Sequence, residues 1–165
     1  MKLEQFDNTL LILGNLGELK AYKIKYELNI NPKDSAQVSH KHHKGELVEN
    51  LSFNLVDDEA FIDAHKKISE IVTDKQGHYE GVFGGESGDE HNLELEIVNR
   101  LLKLIANEIN RLVESINPKE WYLAFPKAYN NELLSLLNEN VKSKLKSNIK
   151  ENLVKLEPKK VIEKL

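Results

Sequence analysis

The residues best suited to chemistry fall in one stretch, "HYEGVFGGESGDEHN", from His78 to Asn92. Gly84 and Gly85 allow the backbone to turn sharply or to aim its amides at a ligand. Glu86 and His91 are the candidate catalytic residues of this loop. Asp89, His91 and Glu94 supply carboxylate and imidazole groups that could converge on a divalent metal, since His91 and Glu94 stand three apart where a helical pattern opens. The same residues have a simpler use. Ser87 and Glu90 have the spacing of a capping box, in which the hydroxyl and the carboxylate satisfy amides at a helix start. Acidic residues in a first turn are also favoured by the helix dipole. Spacing alone does not separate the two uses, so whether the chain is an enzyme stays open.

A second histidine cluster, "SHKHHK" from Ser39 to Lys44, holds His40, His42 and His43 in a stretch without periodicity. A tight metal site needs ligands held at fixed distances, and such a loop offers no scaffold, so it is expected to be an exposed loop. The chain has no Cys, which excludes disulfides, thiol catalysis and Cys-bearing zinc sites. It contains no phosphate-binding Gly loop, nucleophile elbow or zincin pattern, and no cofactor is expected.

Charge is unevenly spread. The net charge is -4, but Glu46 to Glu96 carries 14 acidic residues against 3 Lys, whereas Val141 to Leu165 carries 8 Lys against 3 Glu. Mutual solvation of neighbouring surfaces accounts for such a gradient. A basic face for nucleic acid would draw on Lys142, Lys144, Lys146, Lys150 and Lys155.

The elements that must position these groups follow from periodicity. "NTLLIL" reads as an apolar strand, "GNLG" as its turn, and Tyr22, Ile24, Tyr26 and Leu28 as the buried face of a second strand. Leu51, Phe53 and Leu55 mark a third. An amphipathic helix is expected in "DDEAFIDAHKKISEIV", a short strand or turn in "GHYEGVFGG", and a long helix from His91 to about Ile116, closed by Asn117 and Pro118. Trp121 to Phe125, apolar on both faces, is expected at the centre of the sheet. Pro126 opens a helix through "KAYNNELLSLLNENVKSKL", "SNIKENL" reads as a last strand, and "EPKKVIEKL" as a terminal helix. Strands first, then alternating helices and strands, define one α/β domain over residues 1–165, a sandwich with a mixed sheet. The apolar run Leu10 to Leu13 is too short for a signal core or a membrane span, so a cytoplasmic protein without a membrane partner is expected.

From Trp121 onward, "WYLAFPKAYNNELLSLLNENVKSKLKSNIKENLVKLEPKKVIEKL" resembles the host attachment family, proteins required for attachment to host cells. That family has an apolar strand ending in proline, a Leu-rich helix, a strand of mixed charge and a final "DL.KL" before a short helix. "ENLVKL" stands in that last place, with Asn152 where the family usually has Asp. The hairpin "TLLILGNLGELKAYKI" and the helix start "GDEHNLELEIVNRLL" follow the family's order, leaving roughly residues 29 to 75 outside the resemblance.

The family is in turn similar to the middle domain of archaeal and eukaryotic class I peptide-release factors, of the translational-machinery or RNase H-like type. In those factors a GGQ loop opens the long helix, and "GGES" occupies that place here, with Glu86 for the glutamine and Asp89 and Glu90 where basic residues meet RNA. A carboxylate only accepts hydrogen bonds, so it cannot replace an amide that both donates and accepts. Peptidyl-tRNA hydrolysis is therefore not expected. The resemblance implies a ribosome- or RNA-associated factor that does not use the loop for release. Alternatives are a homo-oligomeric interaction protein without a nucleic-acid partner, and a metal-dependent hydrolase or nuclease at the GGES loop.

Overall fold

The computed structural model describes residues 1–30, 46–56 and 87–165, with side chains from Asn92 onward in the last stretch. The expected helix in "DDEAFIDAHKKISEIV", the "GHYEGVFGG" turn and the "SHKHHK" loop lie outside the described residues. After a 3-10 turn at Leu3–Phe6, the chain forms β1 (Thr9–Gly14), β2 (Leu19–Ile30), β3 (Leu47–Leu55), the long helix α1 (Ser87–Ile116), β4 (Trp121–Ala124), α2 (Lys127–Ser135), α3 (Glu139–Ser143), β5 (Leu145–Ile149) and α4 (Pro158–Ile162). Among the described residues five strands make one mixed sheet in the order β3-β2-β1-β4-β5. The β1–β2 and β2–β3 pairs are antiparallel, while β1–β4 and β4–β5 are parallel.

The α/β class with a mixed sheet is as expected, but its centre is β1 rather than β4. Every residue of β1 is buried. Leu10 and Ile12 face the α1 side with Trp121 and Leu123, and Leu11 and Leu13 face the opposite side with Tyr122 and Ala124. A continuous apolar run suits a strand covered on both faces, and "TLLIL" and "WYLA" both qualify. What places β1 in the middle is that it pairs with both its hairpin partner and β4, a long-range choice that the local pattern does not encode.

Helix α1 supplies one cover. Its stripe of Leu101, Leu102, Ile105, Ile109, Leu112 and Val113 is buried against the sheet, as the spacing predicts, and each such side chain contributes about 2 kcal/mol of transfer free energy. The helix begins at Ser87, four residues ahead of the expected start at His91. It ends at Asn117, whose φ of 49° is left-handed and whose N–H donates to the Val113 carbonyl at 2.9 Å. Asparagine tolerates that conformation, so it can serve where glycine usually caps. Among the described residues the opposite cover is built from Phe6, Leu153, Val154, Val161 and Ile162.

Three expectations need correction. The helix after Pro126 is two helices, because Asn138 takes its N–H to Asn110 Oδ1 on α1 at 3.0 Å and Leu137 turns into the core. The last strand is Leu145–Ile149 rather than "SNIKENL", since pairing with β4 ends at Ala124 opposite Ile149 and the chain then turns to bury Leu153 and Val154. The even face of β2 is buried only in part. Ile24 pairs with Thr9, the first residue of β1, so beyond it β2 has only β3 for a neighbour and Leu28 is 48% exposed. Among the described residues no helix is long and apolar enough to cross a membrane.

Candidate functional site

The loop glycines Gly84 and Gly85, with Glu86, lie outside the described residues. Ser87, Asp89 and His91 are backbone positions in the first turns of α1, and Glu94 follows on an exposed part of the same helix. Because the helix already includes Asp89, its position lies more than half a turn around the axis from that of His91. His91 and Glu94, three apart, share a side of the helix; Asp89 does not share it with His91. Among the described residues no group of three His, Cys, Asp or Glu could hold a metal ion.

The lysines are brought together less than their crowding in the sequence suggests. Lys142 pairs with Glu139 at 3.1 Å, and Lys146 with Glu120 at 3.5 Å. Lys144 donates to Asn117 Oδ1, and Lys150 to Asn131 Oδ1 at 3.2 Å. Lys144 and Lys150 bracket β5, six residues and roughly 20 Å of strand apart, so they occupy opposite ends of the sheet. Lys155 is exposed on the turn before α4. Of these lysines only Lys146 lies within β5, an edge strand of five residues that Lys144 and Lys150 flank. Its register against β4 jumps from Trp121↔Leu145 to Tyr122↔Ser147, which leaves Lys146 as a bulged residue. Short length, a bulge and lysines are the usual means by which a sheet edge is kept from pairing with another chain.

Among the described residues β3 forms the opposite edge, and it has none of these. β3 runs nine residues, "LVENLSFNL", in unbroken register with β2, and contains neither Lys nor Pro; Glu49 is its sole charge. The hydrogen bond from Val56 N–H to the Ala21 carbonyl fixes which residues turn inward. Main-chain groups alternate sides along an antiparallel strand, so the even residues of β3 face β2. Leu47, Glu49, Leu51, Phe53 and Leu55 therefore direct their N–H and C=O groups outward. Their side chains share the sheet face of Ile24 and Tyr26, with Leu51 and Phe53 packed on the core and Leu47 and Leu55 at 62% and 45% exposure.

The Tyr26 hydroxyl on this face is shielded from water and has the Glu49 carboxylate as its neighbouring acceptor. Burial first, and then the neighbouring Glu49 and Glu4 carboxylates, raise its pKa above 10.0. Burial likewise raises Tyr22, and burial with Glu120 raises Tyr122. A raised phenol pKa means that the folded state favours the neutral form. Its stabilising effect is complete below pH 10.0 and is lost as pH climbs through the raised folded values. Unfolding midpoints followed above pH 10.0 should fall in step with tyrosinate absorbance, and a flat profile there would contradict this assignment.

Sequence reasoning passed over a second feature, the asparagines at the carboxyl ends of the parallel strands. Asn15 Oδ1 accepts from the N–H groups of Gly17 and Glu18 at 2.8 and 2.7 Å, and its amide donates to Asn152 Oδ1 at 3.3 Å. Asn130, fully buried, exchanges hydrogen bonds of 2.8 and 2.6 Å with Asn148 and donates to the Phe125 carbonyl at 3.2 Å. Gly14 is enclosed beside them, since a Cβ there would stand 2.9 Å from Leu19 Cδ1 and 3.0 Å from the Phe125 ring. The repeated Asn in "AYNNELL", "KSNIKENL" and "GNLG" was the available signal. These amides satisfy one another, so they tie loops together instead of presenting open ligand groups.

Five strands in a mixed sheet with helices packed on it make this an α/β protein of the layered type. One family matches the chain over residues 34–165, described as protein required for attachment to host cells, and the chain belongs to that family. The match begins after β2, and it takes in residues 34–75, most of the stretch that the motif resemblance left out. No curated protein matches the chain.

Proposed function

We propose that this member of the host attachment family acts as an interaction protein that works through protein–protein pairing at its sheet edge. The observation that carries the reading is the contrast between the two edges: β5 is short, bulged and lysine-bearing, whereas β3 offers nine regular residues with exposed leucines. Unprotected edges of this kind take up further strands through main-chain hydrogen bonds. Lys146 has a role in this account without RNA, because it blunts the edge that is not used, with Lys144 and Lys150 at the two ends of that strand. The finer fold assignment, a release-factor-like or RNase H-like sandwich, we infer from three antiparallel strands followed by helix–strand alternation into a parallel half. It brings no activity with it, since fold does not transfer function.

The second reading is association with RNA or the ribosome. Lys155, Lys159 and Lys160 favour it, being exposed and without ion pairs among the described residues. A salt titration tests whether Lys144 and Lys146 extend such a face. If Lys144 and Lys146 contacted phosphate, replacing both with alanine would flatten the log–log slope of RNA affinity against salt by roughly 1.4 to 1.8. The expected result is no change, because Lys146 is engaged by Glu120 and Lys144 by Asn117. A flattening of that size would move the function to RNA.

A further inference from the structure

We infer that β3 pairs with β3 of a second copy of this chain, antiparallel about a twofold axis through Leu51, to join two sheets into one of ten strands. The inference rests on the interaction reading above and names its partner. A twofold axis opposes residue i to residue j of the partner with i + j constant, and only outward-facing residues can exchange ladder hydrogen bonds. The outward residues are Leu47, Glu49, Leu51, Phe53 and Leu55. Centring on Leu51 is the one arrangement that opposes all five to outward residues of the other strand.

That register gives about ten main-chain hydrogen bonds, two for each opposed pair, which is the number found in a standard protein interface. It sets Leu47 against Leu55 of the second copy, so the two exposed leucines at the ends of β3 cover each other at both ends of the interface. Ile30 and Tyr22, their β2 partners on the same face, extend the apolar strip. Charge selects the same register. Centring on Glu49 would oppose two carboxylates, whereas centring on Leu51 opposes each Glu49 to Phe53 and separates the carboxylates by roughly 14 Å along the strands, beyond the Debye length at physiological salt. On the other face Val48 meets Asn54 and Asn50 meets Ser52, all uncharged.

The absence of Cys from the chain makes a clean test available. Opposed residues lie about 5.5 Å apart between Cα atoms, inside the range that a disulfide spans. Within one chain Leu47 and Leu55 are eight residues, roughly 27 Å, apart. Oxidised glutathione should therefore cross-link a mixture of Leu47→Cys and Leu55→Cys chains into the mixed dimer only, and should link neither variant to itself. Light scattering should give twice the chain mass of 18.9 kDa. The double variant Leu47→Lys with Leu55→Lys should halve that mass while keeping its circular dichroism and melting profile, since both side chains are exposed.

A wild-type monomer at every accessible concentration would overturn the proposal. So would self-linking of either single variant, or a dimer whose mass the lysine pair leaves unchanged. A monomer that binds RNA with a lysine-dependent salt slope would overturn the interaction reading as well, whereas a monomer without that slope would remove only the homodimer.

Discussion

Replacing Trp121 with alanine is expected to destabilise the fold by about 4 kcal/mol, the usual loss when a large aromatic side chain leaves a core. Trp121 has no exposed surface, and its Nε1 donates to the Val141 carbonyl at 2.7 Å. The indole thus joins the amino end of β4 to α3 and fills the layer between the sheet and α1. Domains of ordinary stability hold only about 5–15 kcal/mol in reserve, so much of that reserve goes with this one side chain. Trp121→Phe separates the two contributions. It keeps most of the ring and should cost about 1–3 kcal/mol for the lost indole hydrogen bond and the lost volume, since the Val141 carbonyl still accepts from the Lys144 N–H. Urea unfolding followed by circular dichroism measures both, because the variants lose the chain's one tryptophan and with it the fluorescence signal. A loss below 1 kcal/mol for the alanine variant would mean that the core is not packed as described.

Asn130→Leu is expected to cost about 2–4 kcal/mol although leucine is close to asparagine in size. The substitution leaves the buried Phe125 carbonyl without its partner, at about 1–3 kcal/mol, and removes the hydrogen bonds to Asn148, whose half-buried amide turns to water at a net cost of about 1 kcal/mol. Changing Asn130 and Asn148 together to leucine should cost less than the sum of the two single changes, since the double variant removes both partners at once. Equal costs in a double-mutant cycle would show that the two amides are not coupled.

The sequence makes some of this legible and hides the rest for physical reasons. The α1 stripe could be read because a helix repeats its buried face every turn within one continuous segment. Asn117 could be read as its stop because a residue tolerant of left-handed backbone precedes a proline. The place of β1 at the sheet centre could not, because strand order is decided by contacts between distant segments. The alternation of Tyr22, Ile24, Tyr26 and Leu28 promised a buried face, but alternation reports which face a residue shares and says nothing of how far the neighbouring strand extends. For a related reason composition shows the positive charge of the last segment, but only pairing shows that Glu139, Glu120 and Glu151 answer Lys142, Lys146 and Lys164. Of the stretch from His78 to Asn92, the residues from Ser87 onward belong to α1.

The most direct test of the claim that this protein works by strand pairing is the mass of the nuclease-treated full chain, measured by light scattering from low to high salt. Pairing through main-chain hydrogen bonds and exposed leucines should give an assembly whose mass is the same at both ends of the range, because exposed charges contribute little to it. A chain that is monomeric at high salt, and that enters larger particles at low salt only when RNA is present, would contradict the account.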